Sequence, residues 1–301
     1  MPRRARKHTG TGVYHAILRG VNKQQIFECS ADYQRFISIL SAQTVVDEEA
    51  EKPHCTIYAY CLMGNHVHLL LQEQSESIGE TMKRIASSYV YYYNHKYARI
   101  GHLFQERFKS QPVDSWEYFV TLLRYIHQNP LKAHLVDHIE DYPWSSWQEY
   151  DGRCGSPFCS TQTVLKRIDL VSLRELVEHP LADNEEDGLL DVEVTPVKTY
   201  FEDNEVWQIL TDCSGATTLA EFQSLPRPKQ KHYLFMAHEQ GVGPRQLSRL
   251  TGISYAIVQR ATSAANERLL SDAGMACEST LEDDLYATYC DEGANQPFPE
   301  Y

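Results

Sequence analysis

The stretch 54–72 constrains the fold more than any other part of the chain. Two strand-like runs, 54–60 and 66–72, are separated by Leu62-Met63-Gly64-Asn65, whose Gly-Asn pair signals a hairpin. Successive side chains of a strand point to opposite faces. In Gly64-Asn65-His66-Val67-His68-Leu69-Leu70-Leu71 the two histidines therefore share one face, and Val67 and Leu69 turn into a core. Two imidazoles held side by side in an apolar setting are costly to leave without partners, and their spacing is that of a chelate.

The elements around this hairpin follow from periodicity. Residues 13–21 read as a first strand ending in the basic run Arg19-Gly20-Val21-Asn22-Lys23. Residues 32–44 place Tyr33, Phe36, Ile37 and Leu40 at helical spacing, and 77–97 place Ile78, Met82, Ile85, Tyr89, Tyr92 and Tyr93 on one side of a second helix. A fourth strand is expected at 108–113 and a third helix at 116–129, stopped by Pro130 because proline disfavours a helical residue before it. The order βαββαβα describes an α+β, ferredoxin-like antiparallel sheet with helices on one face and an appended helix.

The 301 residues are enough for two folded parts. Residues 1–150 hold 16 basic and 16 acidic side chains and the remainder 12 and 25, so the net charge of −13 belongs to the second half. Ahead of Glu28 stand Arg3, Arg4, Arg6, Lys7, Arg19 and Lys23 with no acid among them, a local cationic patch suited to a polyanion. The charge run 183–188 is expected to connect the two parts, and the acidic stretch after Ser279 to lack structure. Residues 230–240, 244–250 and 254–264 have a helix-turn-helix pattern, with Arg245, Tyr255 and Gln259 as candidate DNA contacts. The organisation expected is a catalytic domain at 8–150, a helical extension and acidic linker at 151–198, the helix-turn-helix part at 199–270 and a tail at 271–301. The eight cysteines lack zinc-knuckle spacing, and no apolar run approaches a membrane span, so reduced thiols and a cytoplasmic protein are expected.

On a helix, Tyr125 and Asn129 stand one turn apart and present a phenol beside a carboxamide. Two imidazoles, an amide oxygen and a tyrosine point to metal-assisted attack on a phosphodiester. The rival phenols are in Tyr89-Val90-Tyr91-Tyr92-Tyr93, where Tyr91 alone lies off the packing face.

The ordered blocks N-H-V-H-L-L-L, G-H-L-F-Q-E-R-F-K-S, R-Y-I-H-Q-N-P-L-K-A and D-Y-P-W-S-S-W resemble those of the single-tyrosine HUH (IS200-like) transposases, specifically their REP-associated branch. The resemblance covers about 10–150. It implies Tyr125 as nucleophile, His66, His68 and Asn129 as ligands of Mg or Mn, and a covalent 5'-phosphotyrosine with a free 3'-hydroxyl. It further implies a single-stranded DNA target beside a folded hairpin, with Arg107 and Lys109 as candidate phosphate contacts and either a monomer or a homodimer as the acting species; the basic arm at 3–7 and Arg19 are candidates to grip the foot of the hairpin. Two other readings stay open: a non-catalytic DNA-binding regulator working through the helix-turn-helix, and a hydrolase of small phosphoesters.

Overall fold

The computed structural model describes residues 9–46, 51–182, 189–190 and 201–263. The basic arm at 3–7, the charge run at 183–188 and the acidic tail lie outside the described residues. The strand-like runs become a four-stranded antiparallel sheet. In chain order the elements are β1 (Val13–Arg19), α1 (Ser30–Ala42), β2 (Cys55–Met63), β3 (His66–Glu73), α2 (Ile78–Lys96), β4 (Lys109–Pro112) and α3 (Trp116–Lys132). The strands lie in the order β2-β3-β1-β4, so the histidine strand is central.

Met63 pairs with His66, which shortens the hairpin connection to Gly64-Asn65. Leu62 and Met63, expected in that connection, extend β2 instead; both are fully buried, and leaving the sheet would expose them. The turn is held from outside. The backbone N–H of Gly20 donates to the Asn65 carbonyl, and that of Ile26 to the Gly64 carbonyl, each at 2.8 Å.

The register fixes which residues share a face. Arg19 lies opposite His66, Ile17 opposite His68 and His15 opposite Leu70, and direct antiparallel partners point the same way. Tyr14, Ala16, Leu18, Val67, Leu69 and Leu71 point the other way into the main core, which also contains Phe27, Tyr33, Phe36 and Tyr89. Phe27 stacks on Tyr33 with centroids 4.3 Å apart, and the Tyr89 hydroxyl donates to the Ile26 carbonyl. Each such ring contributes about 2 kcal/mol through burial.

α3 begins at Ser115, whose hydroxyl accepts the Tyr118 N–H at 3.1 Å. It does not stop at Pro130 but runs through it to Lys132. A proline so close to the end removes one intrahelical bond, and the final turn still closes through the Ala133 N–H on the Asn129 carbonyl at 3.0 Å. Asn129 and Pro130 are both buried, so packing outweighs the local preference that predicts an earlier stop. The outer edge of β2 is covered by residues 144–146: Leu62 N–H donates to Trp144 carbonyl and Ser146 N–H to Tyr60 carbonyl, each at 2.9 Å. Trp144 anchors this segment by stacking on Tyr33 at 4.5 Å.

The later part is mostly helical. α4 (Trp147–Tyr150), α5 (Thr161–Leu165) and α6 (Leu170–Glu178) join the main core, which takes in Trp147, Val164, Leu173 and Val177. α7 (Asp203–Ser214), α8 (Leu219–Ser224), α9 (Arg227–Glu239), α10 (Pro244–Thr251) and α11 (Tyr255–Ala261) enclose a second core of Val206, Leu210, Phe222, Leu234, Leu247 and Val258. Gly252, at φ 69, ends α10 in the left-handed conformation that glycine adopts without strain. Among the described residues no helix is long and apolar enough to cross a membrane.

Candidate active site on the histidine face of the sheet

The His66 and His68 rings lie together, centroids 4.9 Å apart and nearly perpendicular, and both side chains are fully buried. Each ring is oriented through Nδ1. His66 Nδ1–H donates to the Asn65 carboxamide oxygen at 2.6 Å, and His68 Nδ1 lies 3.1 Å from Nε2 of His15. A bond at Nδ1 leaves Nε2 as the ring nitrogen available to a ligand, the arrangement usual for metal-binding histidines. Burial, with the neighbouring His66 and His15 adding to it, holds His68 well below the ordinary imidazole range, so it is neutral and able to donate a lone pair.

α3 crosses this face. The Tyr125 ring meets that of His68 edge-on at 5.5 Å and that of His15 at 6.1 Å, and Lys132 Nζ lies 4.9 Å from the Tyr125 ring centre. One turn on, the Asn129 amide nitrogen donates to the Tyr125 carbonyl at 2.8 Å, which makes its oxygen the atom suited to a cation. His66, His68 and Tyr125 are thus brought together, with Asn129 buried next to Tyr125's turn of the helix. Among the described residues no group of three or more His, Cys, Asp or Glu side chains converges as a metal site. A cation here would rest on two imidazoles and a neutral oxygen, and the Nε2 of His68, buried with no hydrogen-bond partner among the described residues, fits that demand.

Residues 10–129 match the family model described as "Transposase IS200 like". This stretch is an IS200-like transposase domain. Its family ties it to DNA binding and transposition. A solved structure described as a REP-associated tyrosine transposase bound to a REP hairpin is similar at a TM-score of 0.42 and 17% identity, over 52% of this chain and 90% of that one. No curated protein matches the chain.

Within the transposase domain, the candidate DNA contacts fall in different settings. Arg19 shares the histidine face, and its Nε and Nη2 are buried with no hydrogen-bond partner among the described residues. Arg107 and Lys109 are exposed, and Arg107 lines a cleft of about 420 Å³ between α2 and residues 102–107. Tyr91 is 77% exposed on α2, whereas Tyr89 and Tyr93 are buried in the core.

The helical part meets the transposase domain through Arg245. Its guanidinium lies 3.6 Å from the Glu28 carboxylate, donates to the Gln24 side-chain oxygen at 3.0 Å and covers the Tyr255 ring at 4.9 Å. Arg245 is therefore engaged with the first domain, while Tyr255 and Gln259 are exposed. Glu28 is raised above the usual carboxylate range by burial, an effect that Arg245 and the Tyr93 hydroxyl oppose.

Sequence reasoning passed over His15. It is fully buried, and burial pushes its pKa down to about 3. The signal was present: once β1 is recognised as a neighbour of β3, alternation places a third imidazole on the histidine face. His127, two residues after Tyr125, faces away. Its Nδ1–H donates to the Leu123 carbonyl and its Nε2 lies beside the Ser146 hydroxyl, each at 2.9 Å, which is a packing role.

Proposed function

We propose that this chain is a metal-dependent single-tyrosine DNA endonuclease and strand transferase acting on single-stranded DNA beside a hairpin. The observation that carries the reading is the edge-on meeting of the Tyr125 and His68 rings at 5.5 Å, over the face where His66 and His68 stand together. A phenol next to two oriented imidazoles is the arrangement needed to attack a phosphate held at those imidazoles.

In this reading His66, His68 and Asn129 hold a divalent ion, Mg or Mn, which supplies charge stabilisation at the phosphate oxygens. Tyr125 Oη, losing its proton, bonds to phosphorus; the bond from phosphorus to the 3'-oxygen breaks, and that oxygen takes up a proton. The products are a 5'-phosphotyrosine and a free 3'-hydroxyl. The new ester retains the free energy of the old one, so a 3'-hydroxyl from another strand reverses the step and joins ends without a nucleotide cofactor. Arg19, on the same face and with two guanidinium nitrogens that have no hydrogen-bond partner among the described residues, holds the bound phosphate. Arg107 and Lys109 hold flanking backbone, and Tyr255 and Gln259 on α11 remain open to DNA, whereas Arg245 ties the helical part to the transposase domain.

The test is incubation with labelled single-stranded hairpin DNA and Mn. A protein–DNA adduct that survives denaturation is expected, lost in Tyr125→Phe and on chelation. An adduct retained by Tyr125→Phe moves the nucleophile elsewhere, with exposed Tyr91 the first suspect. Tight DNA binding without any adduct makes the chain a non-catalytic regulator instead.

A further inference from the structure

We infer that His15 is a positioning residue for the candidate metal ligand His68, an inference that rests on the reading above. The two rings are nearly parallel, at 15° with centroids 5.3 Å apart, and are joined by the 3.1 Å contact from Nε2 of His15 to Nδ1 of His68. Two neutral imidazoles share such a contact through one proton, which sits on either nitrogen. If His15 carries it, His68 is left with a proton on Nε2, aimed at where a cation would sit. If His68 carries it, Nε2 of His68 presents a lone pair. Only the second arrangement binds a metal, and it requires an acceptor placed where His15 stands.

The surroundings give His68 no obvious substitute. Its strand neighbours on that face are Ile17, directly opposite on β1, and Cys61, directly opposite on β2. The thiol of Cys61 is directed to the sulfur of Met63 at 3.6 Å. Without His15, the Nδ1–H of His68 would face a dry environment with a hydrocarbon and a weakly polar sulfur as cross-strand neighbours. The ring would then be free to turn or to move its proton to Nε2. The same His15 ring also lies 6.1 Å from that of Tyr125, so one side chain on β1 backs both the ligand and the nucleophile. Orienting partners of this kind change metal affinity by about 10–100-fold when removed.

The geometry also says which replacement should work. Contact is through Nε2, the far ring nitrogen, which a glutamine side-chain oxygen can imitate and the shorter asparagine cannot. The experiment is Mn titration of the full chain, followed by calorimetry or by the loss of the free-ion electron paramagnetic resonance signal, on wild type and on His15→Ala, His15→Gln, His15→Asn and His68→Ala. Expected is a fall of 10–100-fold in Mn affinity for His15→Ala and His15→Asn, recovery to within about fivefold for His15→Gln, and the largest loss for His68→Ala. Wild-type affinity in His15→Ala overturns the inference while the metal reading stands. Equal losses in His15→Gln and His15→Asn, two amides that differ in reach, also overturn it, because a purely packing role would not distinguish them. Unchanged affinity in His68→Ala overturns the metal reading and this inference together.

Discussion

Removing Arg245 should make stability fall more steeply with rising pH than it does in the wild type. Glu28 is 5% exposed, and Arg245 and the Tyr93 hydroxyl, 2.7 Å away, are its partners against the pull of burial. In Arg245→Met the carboxylate loses its cation but remains enclosed, and its folded pKa rises further above the ordinary value of 4.5. The carboxyl then takes up a proton rather than stay charged. The cost of being neutral at pH 7 is bounded by the 2.5-unit distance from 4.5, at about 1.36 kcal/mol per unit, or about 3.4 kcal/mol. For an acid with a raised folded pKa the native state binds the extra proton, so stability falls as pH rises above 4.5. Destabilisation by Arg245→Met, relative to a wild type that already carries part of this cost, should therefore be at most about 3 kcal/mol at pH 7 and at most about 0.7 kcal/mol at pH 5, plus a small constant for the lost contact with Tyr255. Urea unfolding at both pH values measures it. The double variant Glu28→Gln/Arg245→Met, with no carboxyl to titrate, should lose the pH dependence. A destabilisation that is the same at pH 5 and pH 7 would refute this account of Glu28.

Two further outcomes follow from buried groups. His127 is held neutral down to about 4 against an ordinary 6.5, so the unfolded chain takes up a proton before the native one. Stability from this residue should be lost as pH falls through that window, by up to about 3 kcal/mol. His127→Leu should be weaker at pH 7 by about 1–2 kcal/mol through its lost hydrogen bonds, yet flatter between pH 6.5 and 4.5 in urea unfolding; equal slopes would contradict the assignment. At Gly20 an added Cβ would collide with the Gln24 carbonyl and lie 3.0 Å from Ile26 Cγ2. Gly20→Ala should lower stability by about 1–3 kcal/mol in thermal unfolding, and an unchanged midpoint would mean that the loop yields freely.

The sheet was legible because its strands carry period-two signals strong enough to set faces. His66 and His68 alternate with Val67 and Leu69, and no other register buries those apolar side chains. Tyr125 and Asn129 were legible as a pair because their spacing is that of one helical turn. The overrun of α3 through Pro130 was not, since local preference opposes it and only the burial of Asn129 and Pro130 favours it. His15 was hidden for a different reason: its meaning depends on which strand lies next to β3, and strand order is a long-range property. Arg245 read as a candidate DNA contact because it belongs to a helix-turn-helix pattern in the sequence. Its contact with Glu28, more than two hundred residues away, leaves no local trace.

The corner where Gly20 and Ile26 hold the carbonyls of Asn65 and Gly64 has a consequence for inheritance. The backbone of Asn65 sets how two loops meet, and its side chain aims the ring of His66. A graft that exchanged residues 20–26 for those of a relative, leaving 64–66 behind, would misalign the His66 ring without altering it. The two segments can travel between proteins only as a pair.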